Sequence, residues 1–208
     1  DAMAEIFTDP VHKEYLAYPN EDPRRKVAEQ PSETVDEIFA RVTAKPGVTK
    51  IDTIDLGQGE TSELYEDSNG NPVLSVYRNT QNKITRIKEG TWNGDKLTNS
   101  ITVRVNAAES QKNNFELLIG KYENECGYSD TNPLPGGNGT RTDYTKGDKL
   151  VFSVFRDNSG KIFTTLENVY DGNFLTRIHE INISGQNVIE RGQYFEKPQL
   201  QVQEPEPI

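Results

Sequence analysis

Lys197, Gln199, Gln201 and Gln203 recur at every second residue near the C-terminus, which places them on one face of an extended strand. A row of amides with one ammonium matches the hydroxyls and occasional carboxylates of a glycan, each hydrogen bond contributing little and the row reading several sugars. Any solvent-facing strand can carry the same row. Upstream, in FLTRIHEINI from Phe174 to Ile183, the residues Leu175, Arg177, His179, Ile181 and Ile183 share a face. That spacing suits either a half-buried histidine beside Arg177 or a ligand contact. His12 and His179 are the only histidines, so no zinc site and no cofactor is expected. Tyr77, Trp92, Phe155 and Tyr170 are candidates for a sugar-stacking platform or for core.

The elements that must position these groups centre on a repeat. Val73 to Thr98 recurs without a gap 78 residues later as Val151 to Thr176, with ten of 26 positions identical. Each copy alternates, turns through polar residues (Asn79 to Asn82, Asp157 to Gly160), and alternates again from Lys83 or Lys161, the pattern of a β-hairpin. Asn93-Gly94 and Asp171-Gly172 then supply the positive φ of a tight turn that launches a third strand. Duplication and convergence on one turn chemistry both account for this.

Elsewhere, residues 1–34 are punctuated by Pro10, Pro19, Pro23 and Pro31 and read as an extended N-terminal arm packing on the main domain. Residues 35–203 form the expected β domain, and 204–208 a disordered tail. Strands are expected over Thr34 to Thr43, Thr49 to Gly57, Glu63 to Glu66, Ser100 to Asn106, Asn114 to Tyr122, Phe174 to Ile183 and Gln193 to Gln203. Asp67 to Pro72 resembles a calcium loop, but Pro72 replaces the required Gly, so a turn is expected. Glu123 to Lys149 reads as a long irregular loop. About a dozen strands without a long helix point to an all-β, antiparallel two-sheet sandwich, a β-jelly roll.

Composition narrows the partners. A net charge of −10 argues against nucleic acid or an anionic membrane surface, and no run of about twenty apolar residues is available to span a bilayer. Cys126 is alone, so no intramolecular disulfide framework is possible. A monomer is expected.

From Tyr144 through Val154, then Gly160-Lys161-Ile162 and Gly192-Gln193-Tyr194-Phe195-Glu196-Lys197, the chain resembles the C-terminal half of the alginate-lyase family, the concanavalin A-like jelly-roll polysaccharide lyases, and the related glucuronan lyases. Tyr18-Pro19 with Arg24-Arg25 is similar to that family's Tyr-Pro-Arg-Ser-Glu-Leu-Arg, and Ile54 to Glu60 resembles its Ile-Gly-Gln-Ile-His. Glu60 stands at the family's His position, and Leu200 or Gln201 at its catalytic Tyr.

The resemblance implies a secreted, extracellular polysaccharide lyase cleaving a uronate-containing glycan by β-elimination. That chemistry needs a group to neutralise the uronate carboxylate and an acid/base pair to move the proton. Gln58, Arg24 and Arg25 are candidates for the first task. Tyr194 and one of His12 or His179 are candidates for the second, with Arg177, Lys197, Gln199 and Gln201 binding substrate. The alternative is a non-catalytic carbohydrate-binding or adhesion module of the same fold, which the net negative charge favours mildly.

Overall fold

In the computed structural model, which describes residues 33–196, Thr34 caps a helix. Its hydroxyl accepts from the Glu37 backbone N–H at 3.2 Å, and the Glu37 carboxylate accepts from the Thr34 N–H at 2.7 Å, a reciprocal capping box. Helix α1 (Val35–Thr43) follows, where a strand is expected from sequence. Val35, Ile38, Phe39 and Val42 fall at i, i+3, i+4 and i+7, one face of a helix. The same correction applies to Asn114 to Tyr122. It belongs to an 18-residue helix, α2 (Ala108–Glu125), whose buried Gln111, Phe115, Ile119 and Tyr122 keep the helical period.

The strands are β1 (Thr49–Gly57), β2 (Glu60–Glu66), β3 (Pro72–Arg78), β4 (Ile84–Asn93), β5 (Lys96–Arg104), β6 (Tyr128–Pro133), β7 (Thr140–Lys146), β8 (Lys149–Arg156), β9 (Ile162–Asp171), β10 (Phe174–Ser184) and β11 (Asn187–Tyr194). They make one 11-stranded sheet in the order β1-β2-β3-β4-β5-β11-β10-β9-β8-β7-β6, every pair antiparallel. The fold is therefore β-rich and antiparallel, but it is not the expected two-sheet jelly roll. A jelly roll needs strands that change sheets; here each hairpin adds its strand beside the last, and β11 returns to pair with β5.

Helices supply the covering layers instead. Ile38 and Val42 of α1 pack with Leu74, Ile87, Val103 and Ile189, whereas Phe115, Ile119 and Tyr122 of α2 pack with Phe152, Val154, Ile181 and Val188. Val188 and Ile189 are consecutive on β11 and so face opposite ways. The two helices thus lie on opposite faces of one sheet.

The repeat extends well past its 26 residues. A helix and five strands recur, α1-β1-β2-β3-β4-β5 and α2-β6-β7-β8-β9-β10. β5 and β10 flank β11, are both antiparallel to it, and so run parallel to each other. A half-turn about β11 would therefore exchange the strand orders of the two halves and the faces on which their helices lie. Local bonds repeat as well: the Trp92 indole donates to the Pro72 carbonyl at 3.1 Å and the Tyr170 hydroxyl to the Leu150 carbonyl at 3.2 Å. Thr98 donates to the Thr91 carbonyl and Thr176 to that of Val169. Gly94 and Gly172 take φ of 62° and 61° in the turns that require it.

The stretch expected to be an irregular loop contains β6, β7 and the end of α2. Its β6–β7 connection folds back so that Leu134 packs on Phe155, Leu166 and Ile178, on the sheet face opposite α2. Asp67 to Pro72 is a turn, as expected: the Asp67 carboxylate accepts from the backbone of Asn69 and Asn71. The expected last strand begins where β11 ends; its remainder, most of the N-terminal arm and the tail lie outside the described residues.

Candidate functional site

His179 on β10 is paired across the ladder with Glu167 on β9 and Gly192 on β11, on the face that α2 partly covers. Its Nδ1 lies 4.0 Å from Glu167 Oε2 and its Nε2 3.5 Å from Glu190 Oε2. Glu190 is paired with Arg104 at 2.8 Å, and the Arg104 guanidinium donates to Gln111 of α2 at 2.5 Å. At the other end Glu167 accepts from the Tyr122 hydroxyl of α2 and approaches Lys121 at 3.8 Å and Arg177 at 3.6 Å. Gln111 and Tyr122 anchor this chain of polar groups in the buried face of the helix.

The charges are tuned by these contacts. The His179 contact and Arg104 hold the Glu190 carboxyl below the usual carboxylate range against the opposing effect of burial. Burial, reinforced by the Glu167 carboxylate, pushes the Tyr122 phenol well above its ordinary value.

Tyr194 on β11 is the direct cross-strand partner of Arg177, two residues from His179 on the same face of β10. Its hydroxyl meets Ser100 Oγ at 3.5 Å. Gly192 makes this possible, since a Cβ there would stand 2.7 Å from Ser100 Oγ and 3.0 Å from the Tyr194 hydroxyl. Arg177 is the least satisfied cation in the group. Among the described residues its guanidinium makes no hydrogen bond, and its Nε, like that of Arg104, is buried without a partner.

Three of the residues singled out from sequence therefore converge: Arg177, His179 and Tyr194. Gln58 does not join them. It sits exposed in the β1–β2 turn with φ of 55°, six strand spacings from β10, or about 29 Å. His12, Arg24, Arg25, Lys197, Gln199 and Gln201 lie outside the described residues. The expected aromatic platform does not form as one surface: Phe155 is buried on the face away from α2, while Tyr77 lies on the α2 face beneath the Arg86 guanidinium at 3.6 Å. A bulge between Leu175 and Arg177 likewise turns Leu175 to the opposite face from His179, where it packs with Phe155 and Leu166.

Sequence reasoning missed Glu167, Glu190, Arg104, Gln111 and Tyr122. Only Glu167 left a signal, as the glutamate shared with Glu89 in the repeat. Among the described residues no cluster of acidic, histidine and cysteine side chains has the form of a metal site, and no helix is long and apolar enough to cross a membrane. The class that the described residues define is an open antiparallel sheet with one α-helix on each face. No family model, curated protein or solved structure matches the chain.

Proposed function

We propose that the protein is a glycan-binding module, acting outside the cell, whose ligand carries carboxylates among its hydroxyls. The observation that carries this reading is Arg177: a guanidinium that makes no hydrogen bond among the described residues, on a side chain 42% exposed, beside His179, Tyr194 and Ser100. Its contact to Glu167 is too long for a hydrogen bond. A ligand carboxylate could take both donors of a guanidinium edge, the geometry in which arginine recognises carboxylates most strongly. Hydroxyls of Tyr194 and Ser100 would meet those of the sugar. His179, with a carboxylate beside each ring nitrogen, serves in this reading as a link in the charge chain.

The test is migration in gels containing alginate, glucuronan or pectate. Retardation that weakens with added salt and is lost in Arg177→Gln supports the reading. Unaltered migration in every acidic polymer removes it.

A second reading, cleavage of the same glycan by β-elimination, is favoured by the adjacency of Arg177, His179 and Tyr194. Arg177 would neutralise the uronate carboxylate, and the histidine and tyrosine would move the proton. It requires an unsaturated, ultraviolet-absorbing product whose formation Tyr194→Phe abolishes; binding without such a product leaves the module.

A further inference from the structure

Beside the unspent Arg177, a second guanidinium on the α2 face of the sheet makes no hydrogen bond among the described residues. Arg86 on β4 lies directly opposite Arg104 on β5, a like-charge pairing that costs stability. The two heads turn apart: Arg104 goes to Glu190 and Gln111, while Arg86 lies over the Tyr77 ring with no carboxylate partner among the described residues. Lys88, next on the same face of β4 and exposed, has no ion pair there either.

The register places the groups between them. Lys88 is opposite Thr102, and Ser100 is opposite Gly192, the residue over which Tyr194 reaches. Arg86 is level with Ile183 of β10 through Arg104 and Val188, six residues along that strand from Arg177. Three strand spacings across and six residues along give a diagonal of about 25 Å. It carries cations at both ends and the hydroxyls of Thr102, Ser100 and Tyr194 in the middle, with Glu190, opposite Thr102, held by Arg104 beside them. The α2 contact spans β7 to β11, and Gln111 of α2 reaches Arg104 on β5, so the helix borders this line along one side.

We infer that the diagonal from Arg177 to Arg86 is one continuous track for a linear acidic glycan, several sugars long, with carboxylates held at both ends. This rests on the glycan-binding reading and adds to it the class of ligand: an internal stretch of an extended chain, in place of a single sugar or a chain end. A compact anion would engage one end only.

The test is calorimetric titration of the full chain with oligouronides from disaccharide to hexasaccharide. The parent protein should bind the longer oligomers more tightly. Arg86→Gln with Lys88→Gln should weaken the hexasaccharide by roughly tenfold or more and leave the disaccharide unchanged, while Arg177→Gln weakens both. Circular dichroism and the thermal midpoint of each variant report that the sheet is intact. Equal losses at every length, or affinity that does not rise with length, overturn the track while leaving the binding reading in place. A parent protein that binds no oligouronide overturns both. Preference for single-stranded RNA along the same residues overturns the assignment to a glycan.

Discussion

Glu89 and Glu167 occupy the same place in the two halves, 78 residues apart on β4 and β9, each facing the C-terminal end of its own helix. Their partners differ. Glu89 is nearly buried and paired with Arg41 at 2.8 Å and Lys45 at 3.4 Å, whereas Glu167 accepts from a neutral phenol, Tyr122. In the first half the position closes a helix onto the sheet as an ion pair. In the second it is the end of the polar chain that reaches His179. One repeated carboxylate position thus serves packing in one half and the candidate site in the other.

Replacing Glu89 should therefore be costly without touching the binding face. Glu89→Ala removes one of the two carboxylates that Arg41 holds by paired donors, leaving only the exposed Glu33, and should destabilise by about 1.5–3 kcal/mol in denaturant titrations at neutral pH. Burial alone would raise the Glu89 carboxyl, but Arg41 and Lys45 prevail and hold it below its ordinary value of 4.5. A folded value below the unfolded one contributes stability above the ordinary carboxylate range, and that stability is lost as the pH falls through the folded value. Between about pH 5 and about pH 3 the parent should lose stability more steeply than Glu89→Gln. Parallel pH profiles would contradict the pairing.

Tyr122 gives the opposite dependence. Its phenol is raised above its ordinary 10.0 by burial and by Glu167, so its stabilising contribution is complete below that value and is lost as the pH rises beyond it. Tyr122→Phe removes the hydroxyl from Glu167 and should cost about 1.5–3 kcal/mol at neutral pH. It should also flatten the decline in unfolding midpoint of the parent above pH 10.0. A variant whose alkaline decline matches the parent's would show that this hydrogen bond is not formed in solution.

The β6–β7 connection, longer than its β1–β2 counterpart, depends on one glycine. Gly139 has φ of +133°, and a Cβ there would stand 1.9 Å from the Arg156 carbonyl oxygen, a backbone atom that cannot give way. Gly139→Ala should cost about 3 kcal/mol or more, because it must dislodge the loop that carries Leu134. Gly137→Ala, two residues away with φ of +68° and open space around its Cβ, should cost only the left-handed strain of about 1–2 kcal/mol. Thermal midpoints of the two variants compare the effects directly, and equal losses would refute the steric argument.

What the sequence made legible was local. The hairpin turns at Gly94 and Gly172 announce themselves by residue type, and alternation in Phe174 to Ile183 is enough to put Arg177 and His179 on one face. The helices were legible too, in the spacing of Val35, Ile38, Phe39 and Val42 and in the Thr34–Glu37 box, but a short apolar run fits strand and helix alike until both templates are counted. The division into one sheet or two was not legible. It rests on β5 meeting β11, Asn99 to Arg104 against Val188 to Gln193, a pairing between distant segments with no local signature. The same pairing brings Arg104 to Glu190 and Ser100 to Tyr194. Gln58 entered through motif similarity, which carries no register, and the sheet places it at the far edge.

That far edge raises the last prediction. Among the described residues β1 and β6 are the unpaired edges of the sheet, and every residue of β1 is exposed, Ile51, Ile54 and Leu56 among them. Such an edge invites pairing with another chain. Two carboxylates occupy it: Asp52 Oδ1 accepts from the Thr53 N–H at 2.7 Å and Asp55 Oδ1 from the Gly57 N–H at 2.8 Å. Two backbone donors of the edge strand are thereby bonded to its own side chains, with negative charge added beside the isoleucines. β6 is guarded differently, ending in Pro133, which has no N–H to offer. Asp52→Ala with Asp55→Ala should leave folding stability within about 1 kcal/mol of the parent, as exposed sites usually do, yet produce concentration-dependent association in sedimentation velocity. Asp130→Ala on β6 should produce none. If the β1 double variant sediments like the parent at every concentration, the carboxylates are not what keeps this edge unpaired.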